Sequence, residues 1–299
     1  MNTSNLLDQF KQASIVLKII VINTLIFLAV YLGSFFFKLS PASFVSWLVL
    51  PTSFVDIILQ PWSIITYAFL HAGFWHLFWN MYLLYWFGTY VLNLFTAKRF
   101  LTIYLLGGIC GGLLYVLSYN FFPVFNNINS YLMGASAAVL AIVIFIATYT
   151  PNTIVRVFIF KVKLWQIGLA MVLLDLLQLP SSGNSGGLIA HIGGALFGYV
   201  YAIQLTKGND IGIWFETLID SVMNLFKPRY KKPFKKVHRT KQAVAKENKK
   251  MMSNEHQAKI DGILDKIGKS GYDSLTKSEK DFLFKALKRK SFSDLVRLS

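Results

Sequence analysis

The chain alternates long uncharged apolar runs with short polar breaks, and the runs have the length of membrane spans. A helix needs about 20 apolar residues to cross a bilayer. Ile19 to Phe37 is one such stretch, and Ile64 to Phe87 is a second, closed by Lys98-Arg99. No charged residue occurs from Phe100 to Val155, which is too long for one crossing. Asn120, Pro123, Asn126, Asn127 and Asn129 break it into helices near 100–121 and 133–149. Leu164–Leu179 and Leu188–Leu205 supply a fifth and a sixth. The pattern predicts an all-α membrane protein with a bundle of six transmembrane helices. The fourth and fifth runs are short and reach both interfaces only if loops dip into the membrane.

The pattern changes after residue 206. Asp210–Phe226 is amphipathic, with Trp214, Phe215, Leu218, Ile219, Val222 and Phe226 on its apolar side, and is expected to lie along the inner membrane surface. Lys227–Lys250 is densely basic; beside a transmembrane helix it is expected to clamp anionic lipid headgroups, with no nucleic acid as partner. Ala258–Arg297 holds two helical patterns around Gly268–Asp273, with Ile260, Ile263, Leu264 and Ile267 on one apolar face and Phe282, Leu283, Leu287 and Leu295 on the other. The expected organisation is an N-terminal cytoplasmic segment at 1–14, a transmembrane domain at 15–206, an amphipathic and basic juxtamembrane linker at 207–250 and a small helical cytoplasmic module at 251–299.

Composition agrees. Of 299 residues, 55% are hydrophobic, which excludes an ordinary soluble domain. Residues 1–206 hold eight Lys/Arg and three Asp/Glu, so the net charge of +16 divides as +5 there and +11 in the rest. With six spans and the N-terminus inside, Lys11, Lys18, Lys98, Arg99, Arg156, Lys161 and Lys163 share one side with the tail, as the positive-inside rule requires. The expected location is a bacterial cell (inner) membrane with both termini cytoplasmic. The first run lacks a cleavage site of small residues and reads as a retained helix. The single Cys110 excludes an internal disulfide.

Three polar patches interrupt this apolar background: His71 to Asn80, Gly134 to Ala137, and Ala190 to Gly198. Polar side chains are expensive inside a bilayer and rarely sit there without a task. In the predicted orientation, all three patches lie near the outer face. A serine on such a helix ordinarily packs or bonds back to its own backbone. Ser136, however, opens a helix, where unpaired backbone N–H groups suit a developing oxyanion. His191, in the first turn of the sixth span, needs partners for its ring nitrogens, and Gly194 and Gly198 share its face. His76 and Asn80 are four residues apart on one face and suit an oxyanion; His71 precedes that face and suits a structural bond. No Cys or carboxylate joins these histidines within the patches, so neither a metal nor a cofactor is expected. Asp175, the only acid within a span, lies near the outer end of the fifth, where it either snorkels to water or orients His191; nothing in the sequence itself places it beside that histidine.

These residues resemble the rhomboid intramembrane serine proteases over about residues 15–206. His71, His76 and Asn80 match that family's H-x4-H-x3-N, Gly134 and Ser136 its G-x-S, and Ala190, His191, Gly194 and Gly198 its A-H-x-x-G-x-x-x-G. The resemblance implies a Ser136–His191 dyad without an acidic member, an oxyanion held by the Ser136 N–H with His76 and Asn80, and transmembrane proteins as substrates. Three positions depart: Ala137 where glycine is frequent, Trp62-Ser63 for a Trp-Arg pair, and Leu140 where an aromatic often packs on the histidine. The alternative is a non-catalytic relative that binds membrane helices and directs their folding or degradation.

Overall fold

The computed structural model describes residues 3–157, 159–226 and 241–296, with side chains for 8–157, 159–224, 251–252 and 254–286. In chain order the helices are α1 (Thr3–Gln12), α2 (Ile15–Phe37), α3 (Pro41–Val45), α4 (Phe54–Leu59), α5 (Ser63–Thr66), α6 (Phe74–Leu94), α7 (Ala97–Phe121), α8 (Ser136–Tyr149), α9 (Leu164–Gln178), α10 (Ser185–Thr206), α11 (Ile213–Phe226), α12 (Lys241–Ser270) and α13 (Lys277–Val296). Two short antiparallel pairs interrupt them, β1 (Leu50–Pro51) with β2 (Tyr131–Leu132), and β3 (Ile154–Val157) with β4 (Phe160–Lys163). The chain divides into two compact units, Met1–Lys227 and Pro228–Ser299.

In the first unit, α2, α7 and α10 are long and apolar enough to cross a membrane. The α8 and α9 helices are apolar but shorter, at 14 and 15 residues. At 1.5 Å per residue they reach only about 21–23 Å, against about 30 Å of hydrocarbon. The second run is not one helix. A short 3-10 turn, Tyr67–Phe69, follows α5, the backbone becomes extended at Leu70, and α6 starts only at Phe74. Gly73 stands at its N-cap in extended backbone, which supplies the break. Similarly, α8 starts at Ser136 rather than 133, and α10 at Ser185 rather than 188, so His191 sits in its second turn. Asn184 sets that earlier start by accepting the Gly187 N–H at 3.3 Å.

The core lies around α8, in which every residue from Ala137 to Ala147 is buried. Its largest contacts are with α10 and α7, because the facing positions are small. A Cβ on Gly111 of α7 would meet the Cβ of Ala137 and the carbonyl of Ala190, each at 2.6 Å. By contrast, α2 is largely exposed along its apolar length, and α6 turns Phe74, Trp75, Phe78, Trp79, Tyr82 and Tyr85 outward. Such faces suit lipid rather than water.

The amphipathic segment packs on α7. Phe215 is buried, Glu216 accepts from Arg99 Nε at 3.3 Å, and Asp220 pairs with Lys98 at 2.6 Å. Asp210 closes the cluster by accepting from Arg99 and from Tyr201 Oη. The basic run Lys227–Lys250 lies outside the described residues up to 240 and in its side chains to 250, as do the side chains of Phe226, Leu287 and Leu295.

The second unit is a helical hairpin. Gly271, at φ 75°, turns the chain between α12 and α13. Thr276 and Glu279 form a reciprocal cap at the start of α13, and Lys266 reaches Glu279 at 3.0 Å. Ile263 and Leu275 are buried, whereas Leu264 is half exposed and does not join the face expected for it.

Candidate active site

Ser136 is the first residue of α8, and no side chain caps that helix. The Ser136 N–H has no backbone partner among the described residues, so a donor remains free beside its hydroxyl. The approach to it is fixed from behind. The β1–β2 pair holds Tyr131 and Leu132, and the Gly134 N–H donates to the Tyr67 carbonyl at 3.0 Å. Tyr67 is itself anchored, with its hydroxyl 2.6 Å from the Gly108 carbonyl.

Gly134 adopts φ 139°, which L side chains rarely occupy. A Cβ there would lie 2.9 Å from His76 Nε2 and 3.4 Å from Ser136 Oγ. Glycine therefore lets the imidazole of α6 and the hydroxyl of α8 flank one small gap. His76 Nδ1 accepts the Ala72 N–H at 3.4 Å, so the neutral ring carries its proton on Nε2, toward that gap. Asn80 is buried one turn further along α6, and its Nδ2 donates to the His76 carbonyl at 2.8 Å. One of its two amide hydrogens is thus committed in this state.

His71 lies in the loop before α6, buried, with its ring 5.1 Å from that of His76 in an edge-on arrangement. Neither of its nitrogens meets a hydrogen-bond partner of good geometry among the described residues, a polar neighbour being the Phe69 backbone. Burial, reinforced by the neighbouring His76, pushes its pKa down to about 3. It is neutral and contributes packing. Beside it a cavity of about 270 Å³ opens among Val30, Tyr31, Leu70 and Met133.

Gly194 and Gly198 bring α10 against α8 backbone to backbone. A Cβ on Gly194 would stand 2.1 Å from the Ala137 carbonyl oxygen, and one on Gly198 2.3 Å from that of Ala141. The residue after the serine therefore touches the turn after His191. His191 is partly buried, and its Nδ1 lies 3.0 Å from Asp175 Oδ2 on α9. Of the two expectations for Asp175 the contact agrees with the second: its side chain is only 15% exposed and lies against the histidine rather than in water. Sixteen residues separate the pair, and only the side-by-side packing of α9 and α10 joins them. No sequence spacing encodes that packing.

Ser136 thus opens an uncapped helix, His191 lies on the helix packed against it with Asp175 at its Nδ1, and His76 of a third helix stands beside the Ser136 hydroxyl at Gly134, all within a multi-pass membrane protein. A Rhomboid domain model matches residues 59–208, which contain every residue of this site, and the chain belongs to the rhomboid family. A second model, a family of unknown function called DUF6576, matches residues 247–286.

Three curated relatives resemble the membrane part. Rhomboid protein 1, mitochondrial, of Saccharomyces cerevisiae is 29% identical over 156 residues, covering 51% of this chain and 44% of that protein. Presenilin-associated rhomboid-like protein A, mitochondrial, of Danio rerio is 29% identical over 137 residues, 45% of this chain and 35% of its own length. RHOMBOID-like protein 12, mitochondrial, of Arabidopsis thaliana is 27% identical over 157 residues, 49% and 47% of the two chains. The match thus spans less than half the length of each relative. All three are mitochondrial by name, which overturns the expectation of a bacterial inner membrane with cytoplasmic termini.

Proposed function

We propose that the protein is an intramembrane serine endopeptidase that cuts transmembrane segments of other membrane proteins, within a bundle of six spans. The relatives' names support a mitochondrial membrane as its location. The observation that carries the reading is the convergence of Ser136 Oγ and His76 Nε2 on the gap at Gly134, with α10 pressed against Ala137.

In this reading the Asp175 carboxylate accepts from His191 Nδ1–H, which leaves Nε2 unprotonated and able to act as the base for the serine. Nε2 takes the Ser136 proton as Oγ attacks the substrate carbonyl, then returns it to the leaving amine. The tetrahedral oxyanion receives the Ser136 N–H, His76 Nε2–H and the free Asn80 amide hydrogen. The Ser136 hydroxyl and the His76 ring already flank the gap at Gly134 without substrate, which supports a preorganised site. A substrate side chain fits the apolar cavity beside His71, and the basic run Lys227–Lys250 binds anionic headgroups.

Purified protein in detergent, incubated with a transmembrane reporter, tests the proposal. Cleavage is expected with the wild type and none with Ser136→Ala at equal folded concentration. An intact reporter that nonetheless co-purifies with the wild type would favour the non-catalytic alternative.

A further inference from the structure

Away from the catalytic gap, an apolar groove of about 510 Å³ runs between α8, α9 and α10. Ile144, Thr148, Val172, Ala195, Leu196 and Tyr199 line it, and it extends to Ile192, next to His191. Its opposite mouth is formed by Pro151 and Trp165. The β3–β4 hairpin begins at that mouth. The Trp165 N–H donates to the Pro151 carbonyl at 3.3 Å, and the Leu164 N–H to Thr153 at 3.0 Å.

The hairpin carries Arg156, Lys161 and Lys163, all exposed. Arg156 and Lys161 stand directly opposite each other in the ladder. Like charges in that register destabilise a sheet, and none of the three cations has an acidic partner among the described residues. At the turn, Ile159 and Phe160 are 83% and 65% exposed, an apolar tip beside the cations. Trp165, half exposed at the mouth, is the residue type that settles at the membrane interface.

We infer that the groove between α8, α9 and α10 binds one anionic phospholipid, its acyl chain along the groove and its headgroup phosphate on Arg156, Lys161 and Lys163. The apolar walls suit a hydrocarbon chain and offer it no charge. The unpaired cations at one end supply the complement to a phosphate, which offsets the Arg156–Lys161 repulsion. A zwitterionic lipid brings its own cation to the same place and loses most of that gain. The site is separate from the catalytic gap and stands whether or not the protein is a protease. Val172 of the groove lies one turn before Asp175, so an occupying chain braces α9, whose Asp175 contacts His191.

The experiment uses the full chain in detergent with limiting phosphatidylglycerol bearing a photoactivatable acyl chain. Crosslinks are expected on the Trp165–Val172 stretch, competed by unlabelled phosphatidylglycerol and not by phosphatidylcholine or inorganic phosphate. The Lys161→Gln/Lys163→Gln double variant should weaken crosslinking roughly 30-fold, about 2 kcal/mol for two cations. Leu169→Trp, which fills the groove from an exposed position, should abolish it. Thermal unfolding without added lipid verifies that both variants stay folded; if either does not, Arg156→Gln replaces the first and Leu196→Trp the second. Equal competition by phosphatidylcholine, or crosslinking unchanged in the folded variants, overturns the inference. Competition by inorganic phosphate alone overturns the acyl part of it.

Discussion

Replacing Asp175 by asparagine keeps the shape of the side chain and an oxygen to accept the His191 Nδ1–H, but removes the charge. The contact is 3.0 Å long, between side chains 21% and 15% exposed. A hydrogen bond to a charged group contributes about 1.5–3 kcal/mol, and partial exposure excludes the top of that range. A loss of about 1.5–2.5 kcal/mol corresponds to a fall in turnover of roughly 10- to 60-fold. The carboxylate acts on the imidazolium that forms during attack, so kcat should fall while KM changes little. The assay is steady-state cleavage of a transmembrane reporter, normalised to folded protein. Labelling of Ser136 by a fluorophosphonate should slow by a similar factor, and thermal stability should shift by less than about 1 kcal/mol. Unchanged kcat and labelling in Asp175→Asn would refute the role given to the carboxylate. So would a loss that tracks the folded fraction.

The other predictions can be read on the same preparation. Removing His76 or Asn80 to alanine should lower turnover per folded molecule about 100- to 1,000-fold, less where the remaining donor compensates; turnover unchanged from the wild type in both variants would show that neither holds the oxyanion. Gly194→Ala places a methyl against the Ala137 carbonyl, so it should destabilise the fold by about 1–3 kcal/mol and abolish cleavage, read by thermal unfolding and the reporter together. His71 titrates near 6.5 when unfolded and near 3 when folded. Its contribution to stability is therefore complete above about pH 6.5 and declines toward pH 3 by up to about 1.4 kcal/mol per unit. His71→Leu should flatten that slope in pH-dependent unfolding while leaving cleavage within about tenfold of the wild type; an unaltered slope would assign it to other groups.

The parts of the site that belong to one helix were legible in the sequence, because a helix repeats every 3.6 residues. His76 with Asn80, and His191 with Gly194 and Gly198, fall on common faces by spacing alone. What depends on the packing of distant segments was not. The Asp175–His191 contact needs α9 beside α10, and the Gly134 N–H finds Tyr67 only because β1 pairs with β2. Hydropathy also ran Ile64 to Phe87 together as one span, since Leu70 and Ala72 are as apolar as the helix that follows; the backbone breaks at Leu70–Gly73 for reasons of conformation rather than polarity. The β3–β4 hairpin was hidden for the opposite reason, its cations reading simply as a loop on the basic side.

In the proposed function Ser136 is a nucleophile activated by His191. Fluorophosphonate treatment of wild-type protein, followed by mass spectrometry of the peptide that contains Gly134–Ala137, tests it most directly. A covalent adduct is expected on Ser136 and lost in folded His191→Ala, with reporter cleavage lost in parallel. Cleavage that persists in Ser136→Ala, or an adduct on another residue that alone accounts for inhibition, would contradict it.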